Sequence, residues 1–125
     1  MFTDLDVFST AMSMARHAGQ KQALSAQNIA NADTPGYGAR VLPDFADAVN
    51  ARMESPRATR AGHLFGTRDA MLDESVRRDA ADPNGNTVSL ELEMIEAVDA
   101  KRQHDRAMAI YRNAMTLLRA SIARN

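Results

Sequence analysis

The sequence predicts a mainly α chain in which long N- and C-terminal helices form a coiled-coil-like pair, joined by an irregular, partly disordered middle segment. Three observations predict it. Apolar and small residues recur at helical spacing from Leu5 to Ile29, and a longer repeat runs from Met94 to Ile122. The residues between are charged and punctuated by Pro and Gly. The expected boundaries are 1–37 for the first helix and its closing turn, 38–86 for the middle, and 87–125 for the last helix, all in one domain.

The first helix is expected from about Thr3 to Asn31, with Thr3 or Asp4 as cap. Its seam is Leu5, Phe8, Met12, Ala15, Gly19, Gln22, Ala26 and Ile29, widened by Val7, Ala11, Met14 and Ala18. Gly19 beside Ala15 predicts close approach of another helix. The helix then meets Asn28-Ile29-Ala30-Asn31-Ala32-Asp33-Thr34-Pro35-Gly36-Tyr37. Asn31, Asp33 and Thr34 compete for backbone hydrogen bonds, and Pro35 cannot continue a helix. Gly36 suits the third position of a type II turn, which needs a positive φ. Tyr37 is expected to pack its ring and hydrogen-bond through its hydroxyl.

In the middle, Pro43 could open a short helix over 43–54, with Leu42, Phe45, Ala46, Val49 and Met53 on one face. From Arg57 to Ala81 the apolar anchors thin to Leu64, Phe65, Met71, Leu72 and Val76, and Asp82-Pro83-Asn84-Gly85-Asn86 is a dense turn cluster.

The last helix has the strongest period. Met94, Ala97, Lys101, His104, Met108, Tyr111, Met115, Leu118 and Ile122 alternate steps of three and four, as a coiled-coil seam does. Ser89 is the expected cap, and Glu91 and Glu93 suit the first turn. Lys101 and His104 interrupt the seam, facing solvent where the stripe drifts or else fixing register.

Composition narrows the function. The 125 residues have a net charge of −1, which gives no electrostatic reason for a nucleic-acid partner. Cysteine and tryptophan are absent and only 5% of residues are aromatic, so the core must come from Ala, Leu, Met and Val. The opening Met1-Phe2-Thr3-Asp4-Leu5-Asp6 lacks a basic region, an apolar run and a cleavage site, so neither a cleaved signal peptide nor a membrane span is expected. His17, His63 and His104 are widely separated and fit no metal-ligand spacing. Glu91 and Glu93 point to different sides of a helix, and no Gly-rich loop follows a strand. No enzyme, cofactor or metal is expected.

The Asn28–Tyr37 string resembles the N-terminal signature of the bacterial flagellar axial proteins, the rod, hook and hook-associated subunits. Gly85-Asn86-Thr87-Val88-Ser89-Leu90-Glu91-Leu92-Glu93-Met94 is similar to the approach to the last helix in the small proximal rod subunits of that family, and Thr59 to Leu64 fits them too. The resemblance implies a structural subunit of the basal-body rod for motility, polymerising through its terminal helices. The assembly seam would then be Leu5, Phe8, Met12, Ala15, Ile29, Met94, Met108, Tyr111, Met115, Leu118 and Ile122. It also implies self-association and contact with other rod proteins and the rod-to-membrane-ring adaptor. Export would pass through the flagellar type III apparatus to a rod in the periplasmic space. Without the resemblance, the same periodicity would equally fit a cytosolic helical-hairpin adaptor.

Overall fold

The computed structural model describes residues 2–54, 74–78 and 81–123. Its elements run α1 (Phe2–Ala30), β1 (Arg40–Val41), α2 (Phe45–Glu54), β2 (Ser75–Val76) and α3 (Leu90–Ile122). Thr59 to Leu64, Phe65, Met71 and Leu72 lie outside the described residues, as do the side chains of Leu5 and Met53.

The two long helices form an antiparallel pair. The Phe8 and Tyr111 rings meet edge to face with centroids 5.3 Å apart. Further along, Lys21 reaches Glu96 at 3.0 Å, and Asn86, just before α3, bonds Asn31, just after α1. The expected helix pair is therefore present. α1 starts at Phe2, so Thr3 and Asp4 lie inside its first turn rather than capping it. Ser89 does stand at the start of α3 in extended conformation, but its side chain makes no capping bond.

Between the helices the fully buried apolar residues are alanines. Ala11, Ala15 and Ala18 of α1 and Ala100 and Ala107 of α3 are buried, and such short side chains let helix axes approach closely. On α3 the inner line is Glu93, Ala97, Ala100, His104, Ala107, Met108, Tyr111 and Met115. The predicted seam holds from Ala97 to Met115 except at Lys101, and starts one residue late: Met94 and Lys101 face solvent, while Glu93 and Ala100 are buried. An α-helix slips against a strict heptad, and over these turns the slip amounts to that one residue.

On α1 the correction is a rotation toward Ala11, Met14 and Ala18, leaving Met12, Gly19, Gln22, Ala26 and Ile29 exposed. The cause is a second neighbour. Residues 37–48 pack along the side of α1 that carries His17, Lys21, Leu24 and Asn28, so α1 buries two flanks rather than one. Gly19 meets nothing: a Cβ there would have no neighbour within 4 Å, so the expected close approach does not occur at that residue.

Asp44 rather than Pro43 starts α2, its carbonyl accepting the Ala48 N–H at 2.9 Å. Leu42 and Ala48 are buried beneath it and Ala46 is exposed. A two-residue antiparallel ladder pairs Arg40 with Val76 and Val41 with Ser75, an element the sequence analysis did not anticipate. Gly38 fits there for want of a side chain, since a Cβ would stand 2.5 Å from Val76 Cγ1. Among the described residues no helix is long and apolar enough to cross a membrane.

Candidate assembly surface and the clasp behind it

The chain leaves α1 through a turn that the next segments lock. Gly36 has φ 72°, and the Tyr37 N–H donates to the Thr34 carbonyl at 3.3 Å, closing the expected type II turn. Asn31 turns its side-chain amide back on the Gln27 carbonyl at 2.8 Å, and the Thr34 hydroxyl donates to Asn31 Oδ1 at 3.3 Å.

Two asparagines beneath this turn are fully buried. Asn28 pairs with Arg40 as a strand would: its Nδ2 donates to the Arg40 carbonyl at 2.8 Å and its Oδ1 accepts the Arg40 N–H at 2.9 Å. The Tyr37 hydroxyl adds a third bond, to Asn28 Oδ1 at 3.2 Å. Asn86 comes from the other half of the chain. Its Nδ2 lies 2.9, 2.8 and 2.8 Å from the carbonyls of Asn31, Ala32 and Thr34. Two N–H groups thus serve three acceptors, one of them shared. Those carbonyls follow the end of α1, where no further helical N–H is available. Asn86 Oδ1 accepts the Val88 N–H at 2.8 Å, fixing the approach to α3.

The turn that delivers Asn86 is equally determined. The Gly85 N–H donates to Asp82 at 2.8 Å, and Gly85 adopts φ 82° directly after it. Only glycine takes that conformation without strain. The Gly36 N–H reaches the Asn84 carbonyl at 2.9 Å, and Thr87 N–H the Tyr37 carbonyl at 3.0 Å. Thr87 Oγ1 accepts the Ala39 N–H at 2.8 Å and donates to the Arg77 carbonyl at 3.3 Å. The two motif strings, 28–37 and 85–94, are therefore one interlocked structure: a polar clasp between the end of α1 and the start of α3.

Charges brace the clasp. Buried Glu93 accepts from Arg77 at 3.2 Å. Lys21 bridges Asp44 and Glu96, each at 3.0 Å. Burial alone would lower the Lys21 value, but the hydrogen bonds it donates to those two carboxylates outweigh it and hold the ammonium above its ordinary range.

Several large apolar residues of α3 are outside. Leu90, Met94 and Val98 follow one another a turn apart on the outer side of α3, 51%, 64% and 50% exposed, with Ile95 beside them. Leu118 and Ile122 continue the inner line of α3 past the level of Phe2 and are exposed. Phe2 is level with about residue 117, because Phe8 meets Tyr111 and both helices rise equally. Of the predicted seam, Ala15 is buried in the pair, and Phe8, Met108, Tyr111 and Met115 are half-buried there. Met12, Ile29, Met94, Leu118 and Ile122 remain exposed. Among the described residues no group of three or more His, Asp or Glu side chains is placed to hold a metal.

Comparison with known proteins decides the family. The chain is 30% identical over 102 residues to the flagellar basal body rod protein FlgB of Cereibacter sphaeroides strain ATCC 17029, a match spanning 79% of this chain and 80% of that protein. Identity and coverage are the same for FlgB of strain ATCC 17023. The chain belongs to the FlgB family of flagellar basal body rod proteins. No family model matches it.

As a FlgB-family member the chain is a structural subunit of the flagellar basal-body rod, a part of the motility apparatus. In the structure the motif residues join the end of α1 to the start of α3. Sequence reasoning singled out Asn28 and Asn86 but missed that they are the buried centre of the clasp. No sequence signal marked their burial: Asn28 lies on neither predicted stripe of α1, and the partners of Asn28, Asn86, Arg77 and Thr87 lie on distant segments.

Proposed function

We propose that this subunit occupies the proximal rod as a clasped helical pair whose outward apolar rows are closed by neighbouring rod subunits. The single observation that carries this reading is the inversion of the hairpin: alanines are buried between the helices while Leu90, Met94, Ile95 and Val98 are exposed. A lone pair of helices in water gains nothing from that arrangement. Each such side chain withdrawn from water contributes about 1.5–3 kcal/mol, so the gain arrives on assembly. A head-to-tail contact whose rotation does not close generates a helical filament, which is the assembly this reading requires. The partners are then other rod proteins and copies of this chain, with the rod-to-membrane-ring adaptor at the base. Delivery through the flagellar type III export apparatus to the periplasmic rod completes the reading. The residues assigned to assembly are Met12, Ile29, Met94, Leu118 and Ile122, with Leu90, Ile95 and Val98 added, while Phe8 serves the helix pair against Tyr111.

Quantitative mass spectrometry of intact basal bodies tests the placement. The chain is expected at a few stoichiometric copies that survive shearing of the hook. Recovery from the cytosolic fraction alone would instead favour the adaptor.

A further inference from the structure

His17 takes no part in the clasp or in the outward surface, yet it is 1% exposed. It projects from α1 against the segment that leads into α2. Its Nε2 lies 2.9 Å from the Pro43 carbonyl, and because a carbonyl only accepts, that nitrogen bears the proton. The ring meets Phe45 edge to face at 5.6 Å. The other nitrogen, Nδ1, is buried without a hydrogen-bond partner. The imidazole is thus placed to sit neutral, and a second proton on Nδ1 would find no acceptor.

We propose that His17 is a proton-operated latch: the neutral ring holds the Pro43–Phe45 entry to α2 on α1, and the imidazolium releases it while the α1–α3 pair and its clasp stay intact. The charged groups facing His17 among the described residues are Lys21, one turn along α1, and Asp44 at the start of α2. Lys21 repels the imidazolium. Asp44 attracts it, but its carboxylate is 77% exposed and already bound to Lys21. Burial is the largest influence and, with Lys21, lowers the His17 value below the ordinary 6.5 against the opposing pull of the Pro43 carbonyl and Asp44. In the released segment the ring binds its proton near the ordinary value. The latch is therefore fully engaged above pH 6.5 and is lost as pH falls through the lowered value. Release uncovers Phe45 and Ala48, apolar groups separate from the outward rows of α3. The inference is independent of the rod assignment.

Nuclear magnetic resonance of the full-length chain between pH 8 and pH 4.5 tests it. The His17 ring signals should titrate with a midpoint below 6.5, and the amides of Phe45, Ala48 and Val49 should shift with that same midpoint. Amides of Ala100 and Ala107, inside the helix pair, serve as the internal reference and should stay unmoved. A His17→Gln chain should lose the pH dependence at α2. Static α2 signals through the His17 titration would overturn the latch. So would a His17 midpoint at or above 6.5, or joint movement of the Ala100 and Ala107 amides, which would mean global unfolding.

Discussion

Asn28 and Asn86 show how a single side-chain amide can replace a piece of secondary structure. Each is buried where an apolar residue would ordinarily stand, and each has its donors and acceptor satisfied by backbone. That accounting makes the residues unequal under substitution. Asn86→Ala removes the side-chain donor from three carbonyls at the end of α1, of which those of Asn31 and Thr34 keep the N–H groups of Thr34 and Tyr37, and should cost about 1–3 kcal/mol, since an unmade buried hydrogen bond costs more than a made one contributes. Asn86→Asp should cost at least as much, because it sets a carboxylate oxygen against those same carbonyls. Tyr37→Phe removes one bond to an Asn28 oxygen that keeps its Arg40 partner, and about 0.5–1.5 kcal/mol is expected. Urea denaturation of the three variants followed by circular dichroism checks the order; a Tyr37→Phe chain less stable than Asn86→Ala would reverse it.

At the scale of elements, three glycines separate conformation from space. Gly36 and Gly85 sit at φ 72° and 82°, whereas Gly19 lies in mid-helix with open space around its Cα. Gly36→Ala should therefore destabilise by about 1–2 kcal/mol through backbone strain alone, as no atom lies near the new methyl. Gly19→Ala should stabilise by about 0.5–1 kcal/mol. Thermal melts read both, and a destabilising Gly19→Ala would restore the close helix contact that the sequence suggested there. The long helices were legible because period and breakers act locally: the Ile29–Pro35 stop, the Gly36 turn and the repeat from Ala97 onward could all be read from neighbours in the chain. What was not legible depends on distant segments. The rotation of α1 follows from residues 37–48 covering His17, Lys21, Leu24 and Asn28. The 40–41/75–76 ladder is too short to leave a period. Burial of Glu93 needs Arg77, sixteen residues away.

For the whole molecule, the alanines buried between the helices and the large apolar residues exposed on α3 support the proposed assembly role. Fold and assembly are held by different residues, so they can be damaged separately. Val98→Glu places a charge on the outer row without touching the alanine seam. It should leave helicity and melting temperature within error of the parent, yet abolish rod incorporation and swimming. An equal loss of helicity would place Val98 in the fold instead. The most direct test exploits the absence of cysteine from the chain. A Val98→Cys subunit, incorporated into functional basal bodies, can be exposed to a thiol-alkylating reagent before and after the rod is dissociated. Protection in the intact rod and rapid labelling after dissociation is the predicted result. Equal labelling in both states would mean that the outer row of α3 faces solvent in the assembled rod, and would contradict the account.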